Sequence, residues 1–356
     1  MVDSGYDDVL FRVERGLGWI RLNRPRAINA LDHCMVRHID AQLHDWAHDD
    51  AIAGVVLTGA GDRGLCAGGD IVSIYNDART GGCDSIDFWR DEYLMNARIA
   101  DYPKPYLAVM DGIVMGGGVG VAAHGSIRIV TERTMIAMPE VGIGFVPDVG
   151  GTRLLSRAPG ELGTHLALTA DRFGPGDAIA TGFADHYLPT DRIPSLLDQL
   201  DGDTIQNGLA PLTCVAPDSP LERQRAWIDH CYAAASVTEI VERLRAHSDP
   251  AANKAADQIS EKSPIAVCVT LRALRLARQL PTLRDVLDQE LSISTTALDS
   301  HDLVEGIRAQ VIDKDRTPHW SPPTLADVTP AMVERYFATV TFPGNEAASP
   351  REQVEK

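Results

Sequence analysis

The sequence contains no C-x-x-C pair, no H-E-x-x-H, no run of 18 apolar residues and no excess of basic side chains. Each absence removes a class of protein. The six cysteines (Cys34, Cys66, Cys83, Cys214, Cys231 and Cys268) are scattered and read as reduced thiols of a cytoplasmic protein. The 11 histidines show no compact ligand spacing, so no metal is expected. Without a long apolar run no membrane-spanning helix is expected. No basic-then-apolar leader opens the chain, so no signal peptide is expected either. Lys and Arg number 33 against 50 Asp and Glu, a net charge of -17. That balance argues against a nucleic-acid surface, which needs clustered cations. It leaves open a phosphorylated ligand held by a few local ones.

What remains is ordinary globular composition. The 356 residues are 44% hydrophobic and 23% charged, enough for one large domain or two smaller ones. Residues 9–13 and 18–22 read as a hairpin, and 23–29 as a loop around Pro25. Asp32 can cap a helix in which Met35, Ile39, Leu43 and Trp46 recur at helical spacing. Strands are expected at 52–58, 106–110, 127–130, 135–137 and 184–188. Helices are expected at 70–78, 86–99, 117–124, 149–157, 161–169 and 175–180. Beyond about residue 189 the strand patterns stop. Helical patterns follow at 196–200, 221–233, 237–245, 251–259, 266–280 and 283–294. Residues 207–219 read as a linker, and the tail from 343 as polar and loose. The division expected is a core at 1–190, a helical region at 191–342 and a tail at 343–356.

The chemistry concentrates in residues 111–151. Gly116, Gly117 and Gly118 allow a ligand close approach to the backbone, and such a turn can aim N–H groups at a polarised carbonyl. Glu140 and Asp148 follow at loop positions. Glycine loop plus two carboxylates reads as an acyl-transfer or proton-transfer site, against the plainer reading of a turn with two solvated acids. A second glycine stretch, Cys66-Ala67-Gly68-Gly69-Asp70, leads into a helix whose first N–H groups and dipole favour negative charge. An oxyanion hole commonly draws its two donors from separate loops, so the two stretches belong together. Residues 59–64 match G-x-G-x-x-G, but no helix can start there, and the match is read as a plain loop.

These motifs, in this order, resemble the crotonase (enoyl-CoA hydratase/isomerase) superfamily over about residues 8–190. The segments F-V-P-D-V-G-G-T and E-G-I-R-A-Q-V-I-D-K-D-R-T-P-H-W-S-P-P, the latter at 305–323, resemble its 3-hydroxyisobutyryl-CoA hydrolase branch. The resemblance implies an α/β fold with a crotonase-like ββα spiral core, and a C-terminal helical region covering the acyl site. It implies an acyl-CoA substrate, with CoA part of the substrate and no separate cofactor, metal, nucleic acid or membrane. A homo-oligomer is one state the family adopts.

The resemblance places the two oxyanion N–H groups on Gly69 and Gly117. Ala67, Gly68, Asp70, Gly116 and Gly120 border the substrate, and Asn29 and Ala30 lie where the family holds the CoA nucleotide. Arg24 and Lys104 are candidate phosphate contacts, each also readable as a solvated charge. The first hydratase carboxylate falls on Gly120 and is missing; the second falls on Glu140. That pattern implies thioester hydrolysis of a short β-hydroxyacyl-CoA, 3-hydroxyisobutyryl-CoA in valine breakdown, rather than hydration. Glu140 would activate water or attack directly. Asp148 would hold the substrate's hydroxyl or orient water, or would simply cap the helix after it. A lyase or isomerase of the same fold, and a non-catalytic acyl-CoA binder, are the rival readings. Trp320 reads as a packing anchor.

Overall fold

The computed structural model describes residues 7–207 and 214–338. The chain opens on the expected hairpin, β1 (Val9–Glu14) and β2 (Leu17–Leu22). Its two-residue turn places Arg15 and Gly16 at φ 53° and 73°. Positive φ at both positions matches the twist of the strands it joins. Helix α1 (His33–Ala47) follows, capped by Asp32, which accepts from Met35 N. Three strand pairs come next: β3 (Gly54–Gly59) with β4 (Gly64–Cys66), β5 (Tyr106–Met110) with β6 (Ile113–Met115), and β7 (Ile127–Val130) with β8 (Met135–Ala137). Helices α2 (Ile71–Thr80) and α3 (Asp84–Ala100) separate the first two pairs, and α4 (Gly117–Ala122) the last two.

In each pair the first strand joins a six-stranded sheet of order β1-β2-β3-β5-β7-β9. The second joins a three-stranded sheet, β4-β6-β8. All pairings except β1 with β2 are parallel. The chain thus steps from large sheet to small sheet to helix and climbs one strand per turn, the ββα spiral. Both faces of the large sheet are covered: Val55 and Leu57 join the main core, while Val56, Leu107 and Ile129 pack under Leu196 and Leu200. Burial on both sides is why these strands read as continuous apolar runs.

After β8 come α5 (Gly151–Arg157), α6 (Leu162–Thr169), α7 (Pro175–Ala180), β9 (His186–Tyr187), α8 (Ile193–Gln199) and α9 (Gly202–Asn207). The C-terminal region is helical: α10 (Pro220–Tyr232), α11 (Val237–Ala246), α12 (Pro250–Ser260), α13 (Pro264–Ala277), α14 (Leu283–Leu298), α15 (His301–Ile307) and α16 (Pro330–Glu334). Each of α10 to α15 begins at a Ser, Thr or Asp whose side chain accepts from the first turn; Thr282 and Asp285 form a reciprocal box. Those caps satisfy N–H groups that helix geometry leaves bare.

Several expectations shift. Strands β4 and β6 were not anticipated: three residues are too few to show alternation. The helix expected at 149–157 begins at Gly151. The strand expected at 184–188 shortens to two residues, and α9, α15 and α16 were not foreseen. Residues 208–213 of the expected linker, and the tail from 343, lie outside the described residues. Trp320, expected as a packing anchor, joins none of the apolar clusters among the described residues; its Nε1 donates to the Glu261 carbonyl at 3.2 Å.

Candidate active site

The site is built where the small sheet hands the chain to its helices. After β4, Ala67 N donates to Ile28 O, Leu31 N to Gly68 O and Asp70 N to Leu31 O. This lacing holds Gly68 at φ +115°, which an L side chain rarely adopts, and leaves Gly69 N–H without a backbone acceptor among the described residues. After β6, Gly116 takes φ 49° and ψ -122°, and Gly117 opens α4. The Gly117 N–H therefore sits in the first turn, where no intrahelical acceptor exists. The two loops touch: a Cβ placed on Gly117 would lie 3.3 Å from Gly69 N. The Gly69 and Gly117 backbones, from separate loops, thus lie side by side, as two donors to one oxyanion would need to.

Glu140 stands at the start of a 3₁₀ turn (Glu140–Ile143) after β8 and Pro139. Its carboxyl is 6% exposed, and Oε2 has no hydrogen-bond partner among the described residues. Oε1 lies 3.0 Å from where a Cβ on Gly116 would be, so a side chain there would crowd it. Burial first, then the charge of Asp148, holds this carboxyl well above the usual glutamate range. Asp148 is equally buried; Tyr93 Oη donates to its Oδ2 at 2.8 Å. Burial raises Asp148 to about 7, against the downward pull of the tyrosine hydroxyl.

The side chain of Asp148 caps no helix. Helix α5 starts three residues later, behind Gly150, with no local side-chain cap. Its free N–H groups instead reach Glu290 on α14: Gly150 N donates to Oε2 at 2.7 Å, Thr152 N to Oε1 at 3.0 Å, and Thr152 Oγ1 also to Oε1. The helix-cap role read for Asp148 is therefore taken by a residue 142 positions away, and burial pushes that residue up to about 8.

Besides Tyr93, two polar residues at this site, Glu92 and Asn96, escaped the sequence reading. Glu92 on α3 is 2% exposed, its Oε1 unpartnered and 2.6 Å from where a Cβ on Gly117 would be. Burial, then Asp148, raises it well above the usual range. Asn96, one turn on, is fully buried with neither polar atom partnered among the described residues. The signal was available: Phe88, Trp89, Glu92, Asn96 and Ile99 form the buried stripe of α3, and two of the five are polar. Asn96 also explains Gly120. A Cβ at 120 would lie 2.9 Å from Asn96 Nδ2 and 2.8 Å from Val149 Cβ. Gly120, expected to border the substrate, instead makes room for Asn96 and Val149.

These groups enclose a cavity of about 190 Å³, bordered by Ala67, Gly68, Gly69, Gly116, Gly117, Glu92, Glu140 and Asp148. Its apolar walls include Ile71, Ile74, Trp89 and Phe145, the last two stacked at 5.3 Å, and Leu303 and Val311 from the C-terminal region. Ile74 and Phe88 also border a larger open cleft of about 820 Å³ that contains Asp32, His33, Arg37, Asp70 and Ser73. Asp70 caps α2 and pairs with Arg24 at 3.2 Å.

The residues expected near the nucleotide are engaged internally. Asn29 Nδ2 donates to the carbonyls of Ala60, Gly64 and Leu65, and its Oδ1 accepts from Arg24 N. The Ala30 carbonyl accepts from Arg24, which also faces Asp8 and Asp32. Lys104 donates to the carbonyls of Trp46 and Asp49 at the end of α1. Among the described residues no group of three or more His, Cys, Asp or Glu could hold a metal, and no helix is long and apolar enough to cross a membrane.

Comparison with known proteins places this geometry. The profile of the enoyl-CoA hydratase/isomerase family matches residues 17–337, nearly the whole chain. The chain belongs to that family. Among curated relatives, the mitochondrial 3-hydroxyisobutyryl-CoA hydrolase of Danio rerio is 39% identical over 96% of this chain and 92% of its own. The human protein of the same name is 35% identical over 94% and 89%. Among solved structures, a carnitinyl-CoA dehydratase from Mycobacterium thermoresistibile is 55% identical, with TM-score 0.91 over 95% of this chain and all of that one. An enoyl-CoA hydratase from Rhodobacter sphaeroides is 42% identical, with TM-score 0.89 over 94% and 98%. The fold is thus the crotonase fold with a C-terminal helical region, and the chain is a crotonase-superfamily acyl-CoA enzyme.

Proposed function

We propose that this enzyme hydrolyses the thioester of a short β-hydroxyacyl-CoA, 3-hydroxyisobutyryl-CoA foremost. The observation that carries the reading is the unpartnered, buried Oε2 of Glu140 in a small cavity beside the Gly69 and Gly117 N–H groups. The curated relatives, similar along nearly their whole length, bear the hydrolase name. The thioester carbonyl oxygen sits between the two N–H groups. A water oxygen bonds to the carbonyl carbon, its proton passes to Glu140, and the carbonyl electron pair moves onto the oxygen, held by the two donors. Collapse reforms the C=O, breaks the C–S bond and sends the sulfur the proton from Glu140, giving the hydroxy acid and free CoA. In a second route Glu140 itself bonds to the carbonyl carbon and expels the thiolate; the resulting mixed anhydride is then cleaved by water. A single turnover in ¹⁸O water labels the Glu140 carboxyl only in the second route. Asp148, pinned by Tyr93, faces the β-hydroxyl.

One observation favours a second reading: the 55% identical structure bears a dehydratase name. A dehydratase would remove the β-hydroxyl and leave the thioester intact. A panel of short acyl-CoAs, followed with a thiol reagent and by enoyl absorbance, separates the two. CoA release from 3-hydroxyisobutyryl-CoA supports the hydrolase. Enoyl product without CoA release overturns it.

A further inference from the structure

We infer that Glu290, on α14 of the C-terminal region, is a positioning residue for Asp148, acting through the turn that carries it. Asp148 is followed by Val149 at φ 53° and Gly150 at φ 78°. A β-branched residue in the left-handed region is a true outlier, and it persists only where its surroundings over-determine it. Here they do. His124 Nε2 meets the Val149 carbonyl at 2.7 Å. Both oxygens of Glu290 are spent on the next residues, taking the N–H groups of Gly150 and Thr152 and the Thr152 hydroxyl. Glu290 is 0% exposed, so these bonds are shielded from water and cannot be replaced by it.

A second contact comes from the same helix face. Ser294, one turn beyond Glu290, meets Tyr93 Oη at 2.9 Å, and that hydroxyl donates to Asp148 Oδ2. Glu290 thus fixes the backbone under Asp148, while Ser294 orients the hydroxyl that holds its carboxylate. Neither lines the cavity, so neither touches substrate. A carboxyl on a separate helix sets the direction of a carboxyl at the reacting centre.

This rests on the function proposed above, and a double-mutant cycle keeps the two apart. Glu290→Gln preserves volume and one accepting oxygen, but turns an amide NH₂ toward a donor N–H at Gly150. Expected is a fall in kcat on 3-hydroxyisobutyryl-CoA of about 10- to 100-fold, the scale of a small misplacement of a reacting group, with KM changed far less. In an Asp148→Asn background the same substitution should change kcat by no more than roughly twofold, because residues acting as one unit are not additive. Ser294→Ala, a milder change, should lower kcat a few-fold in wild type and not in Asp148→Asn. Independent, multiplicative effects in the cycle, or full kcat in folded Glu290→Gln, overturn the inference. If Glu290→Gln does not fold, Thr152→Val, which removes the hydroxyl that Glu290 Oε1 accepts from, takes its place in the cycle. The wild type in the same assay tests the hydrolase reading separately. Should it dehydrate instead, the cycle is run on that reaction.

Discussion

The strand-rich part of the chain delivers the groups proposed to react to the cavity on very short tethers. Gly69, Gly117 and Glu140 each lie within three residues of the end of a small-sheet strand, and Asp148 follows on a strained turn. The helical part delivers walls and supports: Leu303 and Val311 close the cavity, and Glu290 braces the Asp148 turn from behind. The difference has a physical source. Short parallel strands fix their ends to within a fraction of an ångström through the ladder, which suits groups whose geometry sets a rate. Helices packed across the top can shift and still exclude water. Substitutions at the tethered groups, and at the Glu290 brace behind Asp148, should therefore act on kcat, and those in the cavity walls on which substrate is preferred.

The largest effect expected is at Glu140. Glu140→Gln keeps the shape and removes the base, so turnover should fall by about 10²- to 10⁴-fold on every acyl-CoA tested, with substrate still bound. Because Glu140 is held above the ordinary range by burial and by Asp148, its basic form is gained only as pH rises. For the wild type, kcat/KM should climb through a limb placed above ordinary carboxylate titration, and the limb should be lost in the variant. Turnover near wild type in Glu140→Gln would break the comparison at its centre.

How much of this was legible follows the same division. The glycines could be read because Gly68 and Gly116 occupy backbone angles that other residues rarely adopt, so the residue type itself reports the geometry. Glu140 was legible from its place in the family motif. Glu92 could have been found, because it falls on the otherwise apolar stripe of α3; Glu290 could not, because an acid on an amphipathic helix looks the same whether it meets water or a buried N–H. Asp148 misled in the opposite direction. An Asp before Val-Gly-Gly has the look of a helix cap, yet the cap comes from Glu290, and nothing local encodes a partner 140 residues away. Gly120 was expected to border the substrate. Only the approach of α3 shows that Asn96 and Val149 lie there instead.

Asp148 sits on the boundary between the two regions, and Asp148→Asn sharpens it. If the carboxylate holds the substrate's hydroxyl, the variant should lose about 5- to 150-fold more on 3-hydroxyisobutyryl-CoA than on isobutyryl-CoA, the scale of one mismatched buried polar group. An equal loss on both would assign Asp148 to water or to Glu140. Stability offers an independent check. Burial raises this carboxyl from 3.8 to about 7 in the fold, so the native state binds more protons than the unfolded chain between those values. Stability contributed by this group is full below about pH 4 and is lost as pH rises towards 7. The Asn variant has no such loss. Its melting temperature should gain on the wild type as pH goes from 4 to 8.

The smallest effect expected is the most specific to the helical region. Val311 lies on the π-helical turn (Arg308–Ile312) that follows α15, and it lines the cavity. Arg308, at the start of that turn, is clasped by Glu305, Asp313 and Asp315, which closes the turn from both ends. Val311→Ala removes two methyl groups from the acyl wall. At about 0.8 kcal/mol per buried methylene, the branched four-carbon acyl group should lose roughly 4- to 15-fold in kcat/KM, while acyl groups one or two carbons longer gain relative to it. Ile312, the next residue, is 39% exposed and is not part of the cavity lining, so Ile312→Ala is the matched control and should leave the order of substrates unchanged. A uniform drop across the panel in Val311→Ala would mean the turn acts on the reacting groups themselves. The Val311 wall would then share in the chemistry rather than choose the substrate for it.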